Sequence, residues 1–366
     1  MAARAERELD ALVAVSSPSG DRHGAEDAVA VAGALLPAGA SVERLTCSSP
    51  EHADDLLARV SGSGRARLLL LGHLDTVFAH ADHRPLGRDG PRLTGAGTID
   101  MKGGVVLALG VMRALAASPR AFAEVALLLV VDEEWRTAPF AHSQRFAGWD
   151  ACLCFEAGQR TPDGEEAVVV RRKAAGTLRV SARGVAAHSG SAPDRGRNAL
   201  VALAQTAGLV VSRHDPTGPQ RLTAVPTIMH SGEAFNVVPA GGELLCDLRA
   251  DRVGAFQAVA DAIPDQVEGV SLDTEMVRVW PGMDSRAATT DVLAGAGERL
   301  GRAVIGAARG GASDASHLAA AVPVTIDGLG PRGGGAHSPR EHVLADSLHT
   351  RAEVALAVAA ALVQLD

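Results

Sequence analysis

The feature that most constrains this chain is a set of short apolar runs that each stop at a histidine or an acid. Ala66–Leu71 is mostly apolar, breaks at Gly72 and is followed by His73. Ala123–Val131 is more strongly apolar and runs into Asp132-Glu133-Glu134. Ala151–Phe155 is followed at once by Glu156. Runs of this length, bounded in this way, read as buried strands. Helical patterns lie before and between them, at Ala5–Val15, Gly24–Leu36 and Met101–Ala117. Strands alternating with helices predict an α/β fold with a mostly parallel sheet flanked by helices. Such sheets bind ligands at the carboxyl ends of their strands, where these polar residues fall.

The texture changes after Glu166. Thr177–Ala182 and Glu243–Arg249 alternate like half-exposed strands, Thr223–His230 is strand-like, and Asn198–Val211 and Val253–Ile263 read as helices. This β-α-β-β-α order predicts a small α+β insert with an antiparallel sheet. Pro281-Gly282 is a natural return point, after which Asp291–Leu300 (helix), Val322–Ile326 (strand) and Leu348–Leu362 (helix) resume the first texture. A chain of 366 residues is too long for one core. The expected organisation is a catalytic domain over 1–174 and 282–366, interrupted by an insert over 175–281.

Composition excludes several classes of function. The net charge of -8 gives no basic surface for nucleic acid or an anionic membrane. The apolar runs are far shorter than a membrane span. Met1–Asp10 is charged and lacks the apolar stretch of a signal peptide, so a cytoplasmic protein is expected. Cys47, Cys152, Cys154 and Cys246 form no C-x-x-C pair, which argues against a thiolate zinc site and for buried apolar thiols.

The chemistry concentrates in short segments. In Gly72-His73-Leu74-Asp75-Thr76, His73 and Asp75 point the same way if the backbone is extended, and a metal-binding His usually donates its other ring N–H to such a carboxylate. In Gly95–Gly104, glycines flank Asp100 and lead into a helix; one carboxylate using both oxygens can bridge two metals. In Asp132-Glu133-Glu134 adjacent side chains point apart, so one acid can bind metal while its neighbour faces substrate as a base. Glu156 follows the third run, and His337 sits in the glycine-rich Gly333–Pro339 loop, with Glu341 and His342 close by. Each segment alone is compatible with an ordinary exposed turn. Together they form an N/O cage suited to a hydrolytic pair of divalent ions.

In this order the segments resemble the zinc aminoacylase/carboxypeptidase metallopeptidase family, which includes acetylornithine deacetylase, succinyl-diaminopimelate desuccinylase and glutamate carboxypeptidase. The similarity spans essentially the whole chain and rests on G-H-L-D-T-V at 72–77, G-x-x-D-M-K-G-G at 97–104, D-E-E at 132–134 and H-S-P at 337–339. It implies that His73 and Glu156 hold one metal, that Glu134 and His337 hold the other, and that Asp100 bridges them. Asp75 would orient His73 and Glu133 would be the general base. The ions would be zinc, with cobalt or manganese as alternatives. The insert resembles the family's lid or dimerisation domain, which implies a homodimer. Gly184–Gly190 there matches a segment whose histidine, His188 here, contacts the substrate carbonyl oxygen. Asn236 and Arg249 match residues that bind a substrate carboxylate, and Gly310–Asp314, with Gly311 and Ser313, matches a segment whose backbone lines the substrate pocket.

Two departures stand out. Many relatives follow D-E-E with a Gly/Ser-rich segment, whereas here Trp135-Arg136-Thr137-Ala138-Pro139-Phe140 follows, bulkier and stiffer. Trp280 falls where glutamate-preferring members carry a basic residue, which weakens the case for a C-terminal glutamate. The expected activity is hydrolysis of an amide next to a free carboxylate, in a short peptide or an N-acyl amino acid, with the glutamate carboxypeptidase branch closest in look. The alternatives are an N-acyl amino acid deacylase of the acetylornithine or succinyl-diaminopimelate type, an amide-forming enzyme and a non-catalytic homologue.

Overall fold

Leu68, Leu69, Leu70 and Leu71 are all fully buried in the strand Ala66–His73, which lies inside a six-stranded sheet. Each buried leucine contributes on the order of 1.5–3 kcal/mol, so this strand anchors the fold. The structure is a computed structural model that describes residues 2–363; Met1 and residues 364–366, which the sequence assigns to the catalytic domain, lie outside the described residues. The chain divides into two compact units, one of residues 1–171, 284–309 and 313–366, the other of residues 172–283 and 310–312.

In the first unit the sheet runs Ser41–Leu45, Asp55–Ser61, Phe122–Val130, Ala66–His73, Ala151–Cys154, Thr325–Ile326. The last four pair in parallel, and the first two are antiparallel additions at one edge. Those two strands went unread in the sequence because Glu43, Arg44 and Arg59 interrupt their apolar pattern; Arg59 in fact pairs with Glu43 across the edge. Helix Gly103–Ala116 packs on the central strands, and helices Ala2–Val13 and Ser347–Leu362 pack on it in turn. Val105, Leu107, Leu109 and Met112 of that helix share one core with Leu127, Leu129 and Leu153 of the sheet. Among the described residues no helix is long and apolar enough to cross a membrane.

The second unit is a five-stranded antiparallel sheet in the order Thr223–Ser231, Gly241–Ala250, Ala174–Arg183, Val270–Trp280, Gln266–Val267. Helices Ala199–Ser212 and Gly254–Ala260 supply Leu203 and Phe256 to a core with Leu178, Val180, Leu244 and Leu248. Asn198 caps the first helix by accepting the N–H groups of Leu200 and Val201. The long strand Val270–Trp280 was not foreseen. Asp273, Glu275 and Arg278 break its apolar signal, yet these side chains lie toward solvent, and Val270 and Leu272 supply the buried face.

Candidate metal centre

The parallel register sets the site. His73 aligns with Val130, and Leu71 with Cys154, so the strand ends carrying His73, Glu133-Glu134 and Glu156 emerge side by side. Asp100 arrives on an irregular turn, Thr98–Lys102, so the helix begins at Gly103 rather than at Met101 as expected. Gly97 opens this turn with φ +74, a conformation glycine adopts without steric cost. A Cβ on Gly104 would lie 1.8 Å from the Phe155 carbonyl oxygen. Only glycine lets the helix start close enough to the third strand to bring Asp100 beside Glu156. His337, at φ +60, reaches the same place from the loop after Gly335.

The expected ligands fall into two groups that share one residue. His73, Asp100 and Glu156 form the first, and Asp100, Glu134 and His337 the second, with the donor atoms of each within 4.8 Å of one another. His73 Nε2 stands 3.2 Å from Asp100 Oδ1 and 3.8 Å from Glu156 Oε1. His337 Nε2 stands 3.0 Å from Asp100 Oδ2 and 3.1 Å from Glu134 Oε2. The two oxygens of Asp100 therefore face different groups. His73 Nδ1 donates to the Asp75 carbonyl oxygen at 3.0 Å, with Asp75 Oδ1 at 3.3 Å, which leaves Nε2 as the donor atom for a cation. Glu134 Oε1 is buried without a hydrogen-bond partner, as an oxygen reserved for a metal would be. The donor set fits a pair of divalent ions.

The electrostatics agree with a site built for cations. Burial alone would raise the Asp100 carboxyl, but hydrogen bonds and charge from His337 and His73 hold it well below the carboxylate range. Hydrogen bonds to Asp100 and Glu134 push His337 up to about 10. Burial works against a charged His73, yet Asp100, Asp75 and Glu133 raise it well above its ordinary value. Imidazolium rings thus stand in for the positive charge the carboxylates demand. Glu133 is raised well above an ordinary glutamate, first by burial, with Asp314, Glu156 and Glu134 adding to the effect and His73 opposing it. It belongs to neither ligand group.

Supporting residues surround this centre. Asp75 accepts the N–H groups of Glu133 and Glu134 at 3.2 and 3.0 Å, so it holds the turn that carries both acids besides facing His73. Glu341 accepts the N–H groups of Gly97, Ile99 and Asp100 at 3.0, 2.9 and 3.1 Å. Lys102 is fully buried and donates to the Val15 carbonyl at 2.7 Å; burial lowers its amine to about 7. Its rarity was a usable signal, since Lys102 and Lys173 are the only lysines in the chain. Glu341 was signalled by its place three residues after Ser338 in the H-S-P loop. The thiols are buried as expected. Cys47 lies near Asp55 and Asp132, but those carboxylates are engaged by His142 and Arg136.

In the second unit His188 is exposed, and its Nδ1 accepts the N–H groups of Gly190 and Ser191 at 3.1 and 3.2 Å. That fixes the ring proton on Nε2. Asn236 is exposed beside it in the chain path, and its carbonyl accepts the Ser189 N–H at 3.0 Å. Arg249 is engaged by Asp247 on the same strand at 3.0 Å. Gly311 is exposed and its carbonyl accepts from Arg172 at 2.8 Å. Trp280 is buried, with Arg278 over its ring. In the first unit Ser313 is buried and its hydroxyl donates to Asp327 at 2.6 Å.

With this geometry in place, comparison with known proteins is informative. The sequence profile of the peptidase family M20/M25/M40 matches residues 69–361. Carboxypeptidase G2 of Pseudomonas sp. (strain RS-16) is 26% identical over 91% of this chain and 82% of its own length. Succinyl-diaminopimelate desuccinylase of Methylobacterium sp. (strain 4-46) is 29% identical over 82% of each. Among solved structures, a tripeptidase from Staphylococcus aureus superposes with a TM-score of 0.80 at 19% identity, covering 100% of this chain and 99% of that chain. A Bacillus subtilis protein described as a dinuclear metal-binding peptidase from M20 family superposes at 0.71 with 13% identity, over 100% and 99%. At such identities these two speak to the fold alone. The chain belongs to the peptidase family M20/M25/M40. It is a metal-dependent hydrolase with a mixed α/β architecture.

Proposed function

We propose that this enzyme hydrolyses an amide bond next to a free carboxylate, releasing the C-terminal residue of a short peptide or the amino acid of an N-acyl amino acid. The observation that carries this reading is the sharing of Asp100 between two ligand groups while Glu133 stays outside both. His73 and Glu156 would hold one ion, Glu134 and His337 the other, with zinc first and cobalt or manganese as alternatives. Such ions, when bound, lower the pKa of water to about 7 and polarise the scissile carbonyl. Glu133 accepts the proton of the attacking water and returns it to the leaving amine.

For the second unit we propose the lid and dimerisation role. His188 would donate its Nε2 proton to the substrate carbonyl oxygen, and its fixed tautomer supports that. Arg249 and Asn236 would receive the substrate carboxylate, with the backbone of Gly311 and Ser313 lining the pocket. Dimerisation is supported by the edge strand Thr223–Ser231, which exposes Val225 and Ile228, and by exposed Val211 on the neighbouring helix. A cytoplasmic location is part of the same proposal. The names of the two sequence relatives come from both the carboxypeptidase and the deacylase branches, so N-acyl amino acid deacylation is the second reading. The test is a panel of dipeptides and N-acyl amino acids assayed with zinc or cobalt. Turnover of a member with a free carboxylate, lost on esterifying that carboxylate, supports the proposal. No turnover of any member by protein with its metals demonstrably bound would sink it.

A further inference from the structure

The loop that departs most from the family pattern carries a buried cation. Arg136 is 8% exposed and sits two residues after Glu134. Its Nε and Nη2 donate to Asp132 Oδ1 at 3.1 and 2.7 Å, and its Nη2 donates to Asp314 Oδ2 at 2.8 Å, with Nη1 on Asp314 Oδ1. Both carboxylates have further anchors. Asp132 Oδ2 accepts from Ser49 N and Oγ at 3.0 and 2.7 Å, and Ser49 Oγ in turn accepts the Thr137 N–H at 2.9 Å. Asp314 follows Ser313, which is tied to Asp327. The guanidinium lies 4.8 Å over the Phe140 ring, and Phe140 stacks on His317 at 5.2 Å. Glu133 and Glu134 are therefore held on one side by Asp75 and on the other by a fork that reaches two separate segments.

We propose that Arg136 is a positioning residue for the hydrolytic reaction: by bridging Asp132 and Asp314 it locks the turn that presents Glu133 and Glu134. This inference rests on the hydrolase reading above. A planar fork serves two carboxylates at once, which a lysine ammonium cannot reproduce. A base displaced by about 1 Å costs on the order of 100-fold in rate even when the change lies away from the chemistry. Arg136 touches neither ligand group and acts through the backbone of its turn.

The test compares Arg136→Met, Arg136→Lys and Arg136→Met/Asp314→Asn with wild type. It measures zinc content, KM and kcat on the best member of the substrate panel, together with hydrogen exchange of residues 131–142. The proposal expects Arg136→Met to keep its zinc, hold KM within about threefold and lose about 100-fold in kcat. It expects exchange in 131–142 to accelerate about 100-fold more than the global average. Arg136→Lys should lie between. Removing one of the two stranded carboxylates, Asp314, in the double variant should recover part of the lost Tm but not kcat, which separates positioning from mere stability. If Arg136→Met does not fold, Arg136→Lys carries the comparison. Wild-type kcat in the folded variant, or kcat that returns with Tm in the double variant, overturns the proposal. If wild type turns over nothing, the hydrolase reading fails, and the exchange measurement still decides the lock, which unchanged protection would overturn.

Discussion

Asp75 Oδ2 accepts the backbone N–H of Glu134 at 3.0 Å, so the carboxylate that faces His73 also carries the turn of the opposite metal group. One side chain thereby couples both halves of the centre. Asp75→Asn separates its tasks. An amide can accept from one of the two N–H groups but presents its own donor to the other. We expect zinc affinity to fall by about 10- to 100-fold, as for other partners of metal-binding histidines. With zinc saturating, kcat should still fall by about 100-fold because the base is displaced. Chelator competition and steady-state kinetics measure the two separately; wild-type values in both would refute the coupling.

Glu341 does for Asp100 what Asp75 does for Glu134. In Glu341→Gln the carbonyl oxygen can keep the Ile99 and Asp100 donors, but the amide nitrogen meets the N–H of Gly97. A buried donor left without a partner costs about 1–3 kcal/mol. The expected result is zinc binding weakened by about 10- to 100-fold. Because Asp100 belongs to both candidate ligand groups, loss of both ions together is expected on titration with chelator. Sequential loss with the first ion as tight as in wild type would count against this.

Arg249 pairs with Asp247, and a substrate carboxylate would compete for the same guanidinium. Arg249→Met should raise KM for a carboxylate-bearing substrate by about 10- to 100-fold, the worth of one charged hydrogen bond. Asp247→Asn should lower KM by freeing the guanidinium. Equal KM in all three proteins would remove Arg249 from substrate binding.

Asp55 gives the fold a pH dependence of known sign. Burial raises its carboxyl from 3.8 to about 6, opposed by His142 and by the Val131 N–H, with Asp132 adding to the rise. A raised carboxyl favours the protonated folded state, so its contribution is fully present below pH 3.8 and is lost as pH rises through about 6. Asp55→Asn has no such charge and its oxygen can still accept from Val131. Its stability relative to wild type should therefore improve by about 1–2 kcal/mol between pH 5 and pH 7. Thermal melts of both proteins across that range measure it; a gap that stays constant or closes would contradict the assignment.

The sequence made the candidate strand-end residues legible because each follows an apolar run whose length and abrupt stop need no tertiary information. His73, Glu134 and Glu156 follow from that pattern, and Asp100 and His337 from glycine-rich turns. What stayed hidden depends on distant pairing. Glu341 reaches the Asp100 turn across 241 residues, and Arg136 reaches Asp314 across 178. No local pattern marks such a bond. The edge strands Ser41–Leu45 and Asp55–Ser61 were obscured for a related reason: Arg59 is satisfied by Glu43 and Glu124 on neighbouring strands and Arg44 by Glu26 on a helix, partners that no local pattern marks. The 135–140 loop read as mere bulk, whereas Arg136 makes it an ion-paired anchor.

The most direct test of the account is kcat of Glu133→Gln measured beside its zinc content. Glu133 lies outside both candidate ligand groups, so the variant should keep both ions. Removing a general base costs about 100- to 10,000-fold, and the account predicts a loss of about 1,000-fold in kcat with KM little changed. A variant that retains its zinc and turns over at the wild-type rate would contradict it.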